Sequence, residues 1–292
     1  MPLQLTPLHP LFAAEVRGLD LRRTPGPEVC AEIDRAMDRY AVLVFRGQEL
    51  DDDQQMAFGE ALGPLETTRG TVDAHKHRLK HGAMNDISNI DVDGKLLAAD
   101  DRRRMFNLGN QLWHSDSSFK ATPAKYSMLH ARVVPPDGGD TEFADMRAAW
   151  DALPEKTRAK VRDLVTEHSL LFSRGQLGFT DYTEEEKKNF APVPQRLVRW
   201  HPGSQRHSLY LSSHIGRIQG WQVPEAMALI RWLVEFATQR QFVYAHTWRQ
   251  WDLVMWDNRC TMHRAMPFDE TKYTRELRRT TVAEDVPEMA TT

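Results

Sequence analysis

Tyr126-Ser127-Met128-Leu129-His130-Ala131-Arg132-Val133-Val134-Pro135-Pro136-Asp137-Gly138-Gly139-Asp140-Thr141-Glu142-Phe143-Ala144-Asp145-Met146 is the stretch that decides the fold class. Apolar, β-prone runs at Tyr126–Val134 and Thr141–Met146 predict two short strands. Between them stand two prolines and two glycines, which break a strand and favour a turn. The same texture continues outward. Leu197–His201, His207–Leu211, Phe242–Trp248, Leu253–Trp256 and Tyr273–Val282 are further strand-like runs. Upstream, Ala41–Phe45 reads as a buried strand between helices over Glu28–Tyr40 and Asp51–Leu62, the second opened by capping aspartates. Downstream, Ala226, Leu229, Ile230, Leu233 and Ala237 line one face of a helix over Pro224–Thr238. Strands and helices do not alternate in the rhythm of a parallel sheet. The expectation is a mainly β fold with α insertions, a sandwich or jelly roll.

The chain has 292 residues, no internal repeat and no Gly/Ser linker, so residues 1–292 read as a single domain. From Gly63 to Gly109 the pattern is irregular and polar, and a loop of that length in a compact domain implies cover for a site, a lid at about 66–109. A net charge of −3 argues against a nucleic-acid partner. No apolar run approaches the roughly 20 residues that span a bilayer, and Met1-Pro2-Leu3-Gln4 does not open a signal peptide. Two cysteines, Cys30 and Cys260, make neither a disulfide framework nor a thiolate zinc site, so the cytoplasm is the expected compartment.

Two of the 12 histidines stand in informative company. His114 lies in Asn110-Gln111-Leu112-Trp113-His114-Ser115-Asp116-Ser117-Ser118-Phe119. On a strand, His114 and Asp116 point to the same side and offer a nitrogen and an oxygen to one metal ion. His263, in Trp256-Asp257-Asn258-Arg259-Cys260-Thr261-Met262-His263-Arg264, could add a third ligand from a distant strand. Two histidines and one carboxylate fill one face of an octahedral ferrous ion and leave three positions open.

His114-x-Asp116, Gly138-Gly139-Asp140-Thr141, the Trp256–Arg264 segment and the arginines after it carry a resemblance, as do Leu8–Ala14, Val42–Gln48 and Asp145–Ala149. With them the chain resembles, over almost its whole length, the Fe(II)/2-oxoglutarate dioxygenases of the taurine dioxygenase type. Within that family it is most similar to the branch acting on aryloxyalkanoates. The resemblance implies a double-stranded β-helix (jelly roll) core flanked by helices. It implies His114, Asp116 and His263 as iron ligands, and Thr141 and Trp256 at 2-oxoglutarate. The family also places an arginine 11 residues after the second histidine for the distal carboxylate of 2-oxoglutarate. Here that position is Thr274, and arginines follow at Arg275, Arg278 and Arg279. One residue inserted in Pro267–Tyr273 restores the register and assigns Arg275 to 2-oxoglutarate and Arg279 to substrate. Residues four apart on a strand share a face, so Arg278 should point away.

The implied reaction couples conversion of 2-oxoglutarate and O2 to succinate and CO2 with hydroxylation of an aryloxyacetate such as 2,4-dichlorophenoxyacetate. The carbon attacked lies next to the ether oxygen, and the product collapses to a phenol and glyoxylate, a step of aromatic compound catabolism. Fe(II) would be the metal and ascorbate an activator in vitro. Arg279, the Ser117 backbone N–H, Asn110 and Lys95 are the expected substrate contacts, with Trp113, His201 and His214 as further pocket neighbours. A sulfonate, a sulfate ester or another carboxylate is the rival substrate, and the lid together with Phe172–Phe179 should discriminate among them. A cupin-like metal protein without oxygenase chemistry would leave Thr141 and the arginines unemployed. The expected partner is thus a small anionic molecule, with a homo-oligomer possible and neither nucleic acid nor membrane involved.

Overall fold

The two runs around the glycine turn do form strands, but they pair with different neighbours, and that divergence creates the core. The computed structural model describes residues 3–67 and 78–284. The first strands are β1 (Gln4–Pro7), β2 (Ala14–Arg17), β3 (Val42–Phe45), β4 (Met84–Ser88), β5 (Ala124–Val133) and β6 (Thr141–Asp145). They are followed by β7 (Val165–His168), β8 (Val193–Arg196), β9 (Val198–His201), β10 (Arg206–Leu209) and β11 (Ile215–Ile218). The last are β12 (Val243–His246), β13 (Leu253–Asp257), β14 (Thr261–Ala265) and β15 (Glu276–Ala283). The large sheet has the order β1-β2-β3-β13-β5-β15-β4 and is antiparallel except where β2 meets β3. A second sheet, β12-β6-β14, faces it; β9–β10 and β11-β7-β8 are smaller additions.

Alternation along the strands shows how the layers are built. Val42 and Val44 of β3, Leu129 of β5, Val254 and Trp256 of β13 and Leu277 of β15 point inward and meet Phe143 of β6. Their neighbours Leu43, Phe45, Met128 and Met255 point outward, onto helices α1 (Pro27–Tyr40) and α2 (Asp52–Leu62). A sheet covered on both faces needs no polar alternation, which is why Ala41–Phe45 and Leu253–Trp256 read as continuous apolar runs. Each such side chain contributes roughly 1.5–3 kcal/mol relative to exposure. Helix α2 starts as its aspartates suggested. Asp51 accepts from the Gln54 backbone and Gln54 answers with its side chain, a capping box.

Outside the smaller sheet, Ala144 and Met262 pack under α4 (Met146–Ala152) and α8 (Val223–Ala237), while α5 (Glu155–Val161) adds Val161. Helices α3 (Arg102–Asn107), α6 (Leu170–Gly175) and α7 (Glu184–Asn189) complete the set, and all three are too short for hydrophobic periodicity to reveal them. The lid region is also less irregular than its sequence suggests. Residues 68–77 lie outside the described residues, but β4 extends the large sheet beside β15, and α3 runs into a 3-10 turn at Leu108–Gln111. Among the described residues no helix is long and apolar enough to cross a membrane.

Candidate metal centre

His263 lies on β14 with its side chain inward, because its neighbour Met262 is committed to the outer core. His114 reaches it through a single β-bridge: each backbone N–H donates to the other's carbonyl, at 3.0 and 2.8 Å. The His114–Asp116 pair is therefore not on a full strand as expected. The chain is extended at His114 and turns at once, with Ser117 at φ +55° in the left-handed region. That extension still brings both side chains to one side. The Nε2 atoms of His114 and His263 each lie 3.8 Å from an oxygen of Asp116, and one ligand atom from each of the three residues lies within 4.8 Å of the others.

The protonation states suit a cation. Burial lowers His114 and pushes His263 well below the usual imidazole value, so both rings are neutral near pH 7. His114 Nδ1 lies 2.7 Å from the Leu112 carbonyl, which accepts only; the proton must sit on Nδ1, leaving the Nε2 lone pair free. Asp116 is buried, which opposes ionisation, yet Arg279, helped by the Ser127 hydroxyl, holds its carboxyl well below the usual range. Ser127 donates to Asp116 Oδ2 at 2.7 Å, and Asn258 accepts from the Asp116 backbone and the Trp256 indole while donating to Ser127. This closed ring orients the carboxylate. Two neutral imidazoles, one carboxylate and a gap without a shared proton fit a divalent first-row metal ion.

Beside the cluster opens a cleft lined by both imidazoles, Thr141 and Trp256. Arg275 and Arg279 line it; Arg278 does not. Arg278 instead points outward and pairs with Glu276 at 2.6 Å and Asp86 at 3.1 Å, the orientation that the spacing predicted. Arg279 reaches Asp116 Oδ1 at 2.6 Å. Arg275 is buried, and burial lowers its pKa to about 10. Its Nε donates to the Gly139 carbonyl at 3.2 Å, while among the described residues no carboxylate forms an ion pair with it. The Gly138-Gly139 turn makes this approach possible: both residues have positive φ, and a Cβ on Gly139 would sit 3.3 Å from Arg275 Cδ. Thr141 also lines the cleft. Its Oγ1 accepts from the Trp248 indole at 3.0 Å, which leaves the hydroxyl proton free to donate inward. An unpaired guanidinium beside a free hydroxyl donor suits a carboxylate.

Of the other expected residues, Trp256 lines the cleft with its ring centroid 4.7 Å from that of His263, and Asn110 lines it from the 3-10 turn. Ser117 is buried next to Asp116 but gives its hydroxyl to Glu66. Four placements differ from expectation. Lys95 is exposed at the tip of a turn closed by Asp91 and does not line the cleft, because the turn points its side chain to solvent. Trp113 packs on the outer core under Arg264. His201 belongs to another cluster, bonded to Asp257 at 3.0 Å, and His214 stands behind His114 with its Nδ1 bonded to Ser173. Ser127, Asn258, Trp248 and Asn89, which accepts from the Arg275 backbone N–H, went unread in the sequence. Asn258, Trp248 and Asn89 gain their roles from residues more than 100 positions away.

Comparison with known proteins agrees with this geometry. Residues 4–281 match the family described as "Taurine catabolism dioxygenase TauD, TfdA family". The alpha-ketoglutarate-dependent 2,4-dichlorophenoxyacetate dioxygenase of Cupriavidus pinatubonensis is 50% identical over 285 residues, 98% of this chain and 99% of the relative. The (S)-phenoxypropionate/alpha-ketoglutarate-dioxygenase of Sphingobium herbicidovorans is 38% identical over 92% of this chain and 91% of its own. The crystal structure of AAD-2 in complex with Mn(II) and N-oxalylglycine superposes with a TM-score of 0.95 at 56% identity, over 98% of this chain and 99% of that one.

Proposed function

The chain belongs to the taurine catabolism dioxygenase TauD, TfdA family, and on that premise we propose that it is an Fe(II)- and 2-oxoglutarate-dependent dioxygenase of aryloxyacetates such as 2,4-dichlorophenoxyacetate. The observation that carries this reading is Arg275. A buried guanidinium that forms no ion pair among the described residues is costly unless an anion arrives, and it shares a cleft with Thr141, Arg279 and the His114–Asp116–His263 cluster. Bound Fe(II), with 2-oxoglutarate and O2, supplies oxidation of a C–H bond and releases succinate and CO2. Every other task falls to the chain, taken as one catalytic domain.

His114, Asp116 and His263 would hold the metal, and three protein ligands would leave room on it for small-molecule ligands. Arg275 and the Thr141 hydroxyl take the distal carboxylate of 2-oxoglutarate. Planar, paired donation by Arg275 sets the direction of the co-substrate, which a lysine could not do. Arg279 serves two groups: it neutralises Asp116 and offers its remaining donors to the substrate carboxylate. Ile87, Leu97, Leu108, Leu129, Met266 and Phe268 supply the apolar walls that an aryl ring needs. Trp256 packs on His263 and keeps water from the metal side.

Purified protein given Fe(II), ascorbate, 2-oxoglutarate and 2,4-dichlorophenoxyacetate should release succinate and 2,4-dichlorophenol in equal amounts. Succinate coupled to taurine or an alkyl sulfate, but not to a phenoxyacetate, would replace the substrate while keeping the chemistry.

A further inference from the structure

Arg279 is matched by Asp116, and Arg275 faces the place of a co-substrate carboxylate; Arg174 on α6 has neither kind of partner. Its side chain is only 4% exposed. Among the described residues no carboxylate pairs with it, and its buried Nε bonds to nothing. Nη1 makes a long contact to Ser173 Oγ, 3.5 Å, and Nη2 reaches Asn110 Oδ1 at 3.4 Å. The guanidinium carbon lies 4.6 Å from the centroid of the Phe106 ring. Gly109 opens the passage, since a Cβ there would sit 2.2 Å from Arg174 Cζ. Burial lowers the pKa to about 10, so the group stays charged at neutral pH. The field of Arg174 is felt at Asp116, Arg279 and His114, which places it close behind the cleft.

A guanidinium only donates, so Asn110 must turn its oxygen to Arg174. The amide NH2 then faces the other way. Asn110 lines the cleft, so two donors are presented to whatever binds there. We propose that Arg174 is a positioning residue for the substrate: it locks the Asn110 amide with its NH2 toward the cleft, where Asn110 donates to an oxygen of the anionic substrate, and its uncompensated charge strengthens the pull of Arg279. The inference rests on the cleft being the pocket of a small anion, as proposed above. It adds Arg174 to the specificity-determining residues, where sequence reading marked only the Phe172–Phe179 stretch.

The test is calorimetric titration of 2,4-dichlorophenoxyacetate into full-length protein loaded with Mn(II) and 2-oxoglutarate, with 2-oxoglutarate affinity and melting temperature measured alongside. Arg174→Met should weaken the phenoxyacetate about 10- to 100-fold, the loss of a charge-assisted contact, and leave 2-oxoglutarate affinity unchanged. Asn110→Asp should weaken it comparably while keeping or raising the melting temperature, because the new carboxylate pairs with Arg174 but cannot donate. The double variant should lose less than the two single losses combined. Wild-type binding in both single variants, or equal loss of phenoxyacetate and 2-oxoglutarate, would overturn the proposal. If the wild type binds taurine or an alkyl sulfate and no phenoxyacetate, the substrate reading alone fails, and the same ratios are read on that anion. No anion binding at all would sink both.

Discussion

Two buried clusters in this molecule have nearly the same composition and opposite chemistry. His114, Asp116 and His263 form one; His201, Asp257 and Cys260 form the other, and in each the donor atoms lie within 4.8 Å of one another. In the first, both imidazoles stop 3.8 Å short of the carboxylate, and no proton is shared. In the second, His201 Nε2 bonds Asp257 Oδ2 at 3.0 Å, while Arg259 grips the same carboxylate at 2.9 and 2.6 Å. Titration diverges accordingly. His114 and His263 are pushed down by burial, whereas for His201 burial is outweighed by Cys260 and Asp257, raising it to about 10. Nearness of donors does not define a metal site. Lone pairs left without protons do, and a proton-filled gap is a structural ion pair.

The contrast breaks most sharply at His263. His263→Ala should abolish both Mn(II) binding and succinate release, while His201→Gln should leave Mn(II) affinity of the folded protein unchanged. Metal retained in the first variant, or lost in the second, would erase the distinction between the clusters.

Stability should show the reverse pattern. Breaking the buried His201–Asp257 pair should cost about 3–5 kcal/mol in denaturant titration near pH 6, the usual penalty for stranding a buried charge. The folded pKa of His201 is raised, so its contribution is fully present below pH 6.5 and is lost as pH rises through about 10. The deficit of His201→Gln should therefore shrink between pH 6.5 and 10. A deficit constant across that window would mean that His201 is not the proton-holding partner.

The finest comparison lies along β15 and the residue just before it. Arg275→Ala should weaken 2-oxoglutarate, and Arg279→Ala the organic substrate, each by about 10- to 100-fold in KM or binding. Arg278→Ala should change neither, since its partners are Asp86 and Glu276 on the outer face. A ligand effect at Arg278 would shift the register by one residue and undo the assignment.

Several features were legible because they are local. Strand periodicity separates Arg275 and Arg279 from Arg278 with no knowledge of the rest of the chain, and the prolines and glycines of 135–139 announce a turn wherever β5 and β6 go. Other features depend on chain segments that the spacing cannot connect. Met84–Ser88 is a polar edge strand whose pairing with β15 is stabilised from outside itself. Lys95 belongs to the lid in sequence but faces solvent in space. Trp248 gains its role from Thr141, 107 residues away, and Arg174 gains its from Asn110, 64 residues away.

Residue chemistry, short-range spacing and the family resemblance together were enough to name the candidate donors, the mainly β architecture and the side of the chain on which Arg275 and Arg279 lie. Folding was needed to say which donors keep free lone pairs. Asp116 and Asp257 are the same residue type, equally buried, and each has an imidazole near it. Each also meets a guanidinium, Arg279 for Asp116 and Arg259 for Asp257, but Asp116 faces two neutral rings across an open gap whereas Asp257 is hydrogen-bonded to its ring. Ionisation and hydrogen bonding in a buried site follow from the groups that distant segments bring within a few ångströms, and those distances do not exist until the two sheets close on each other.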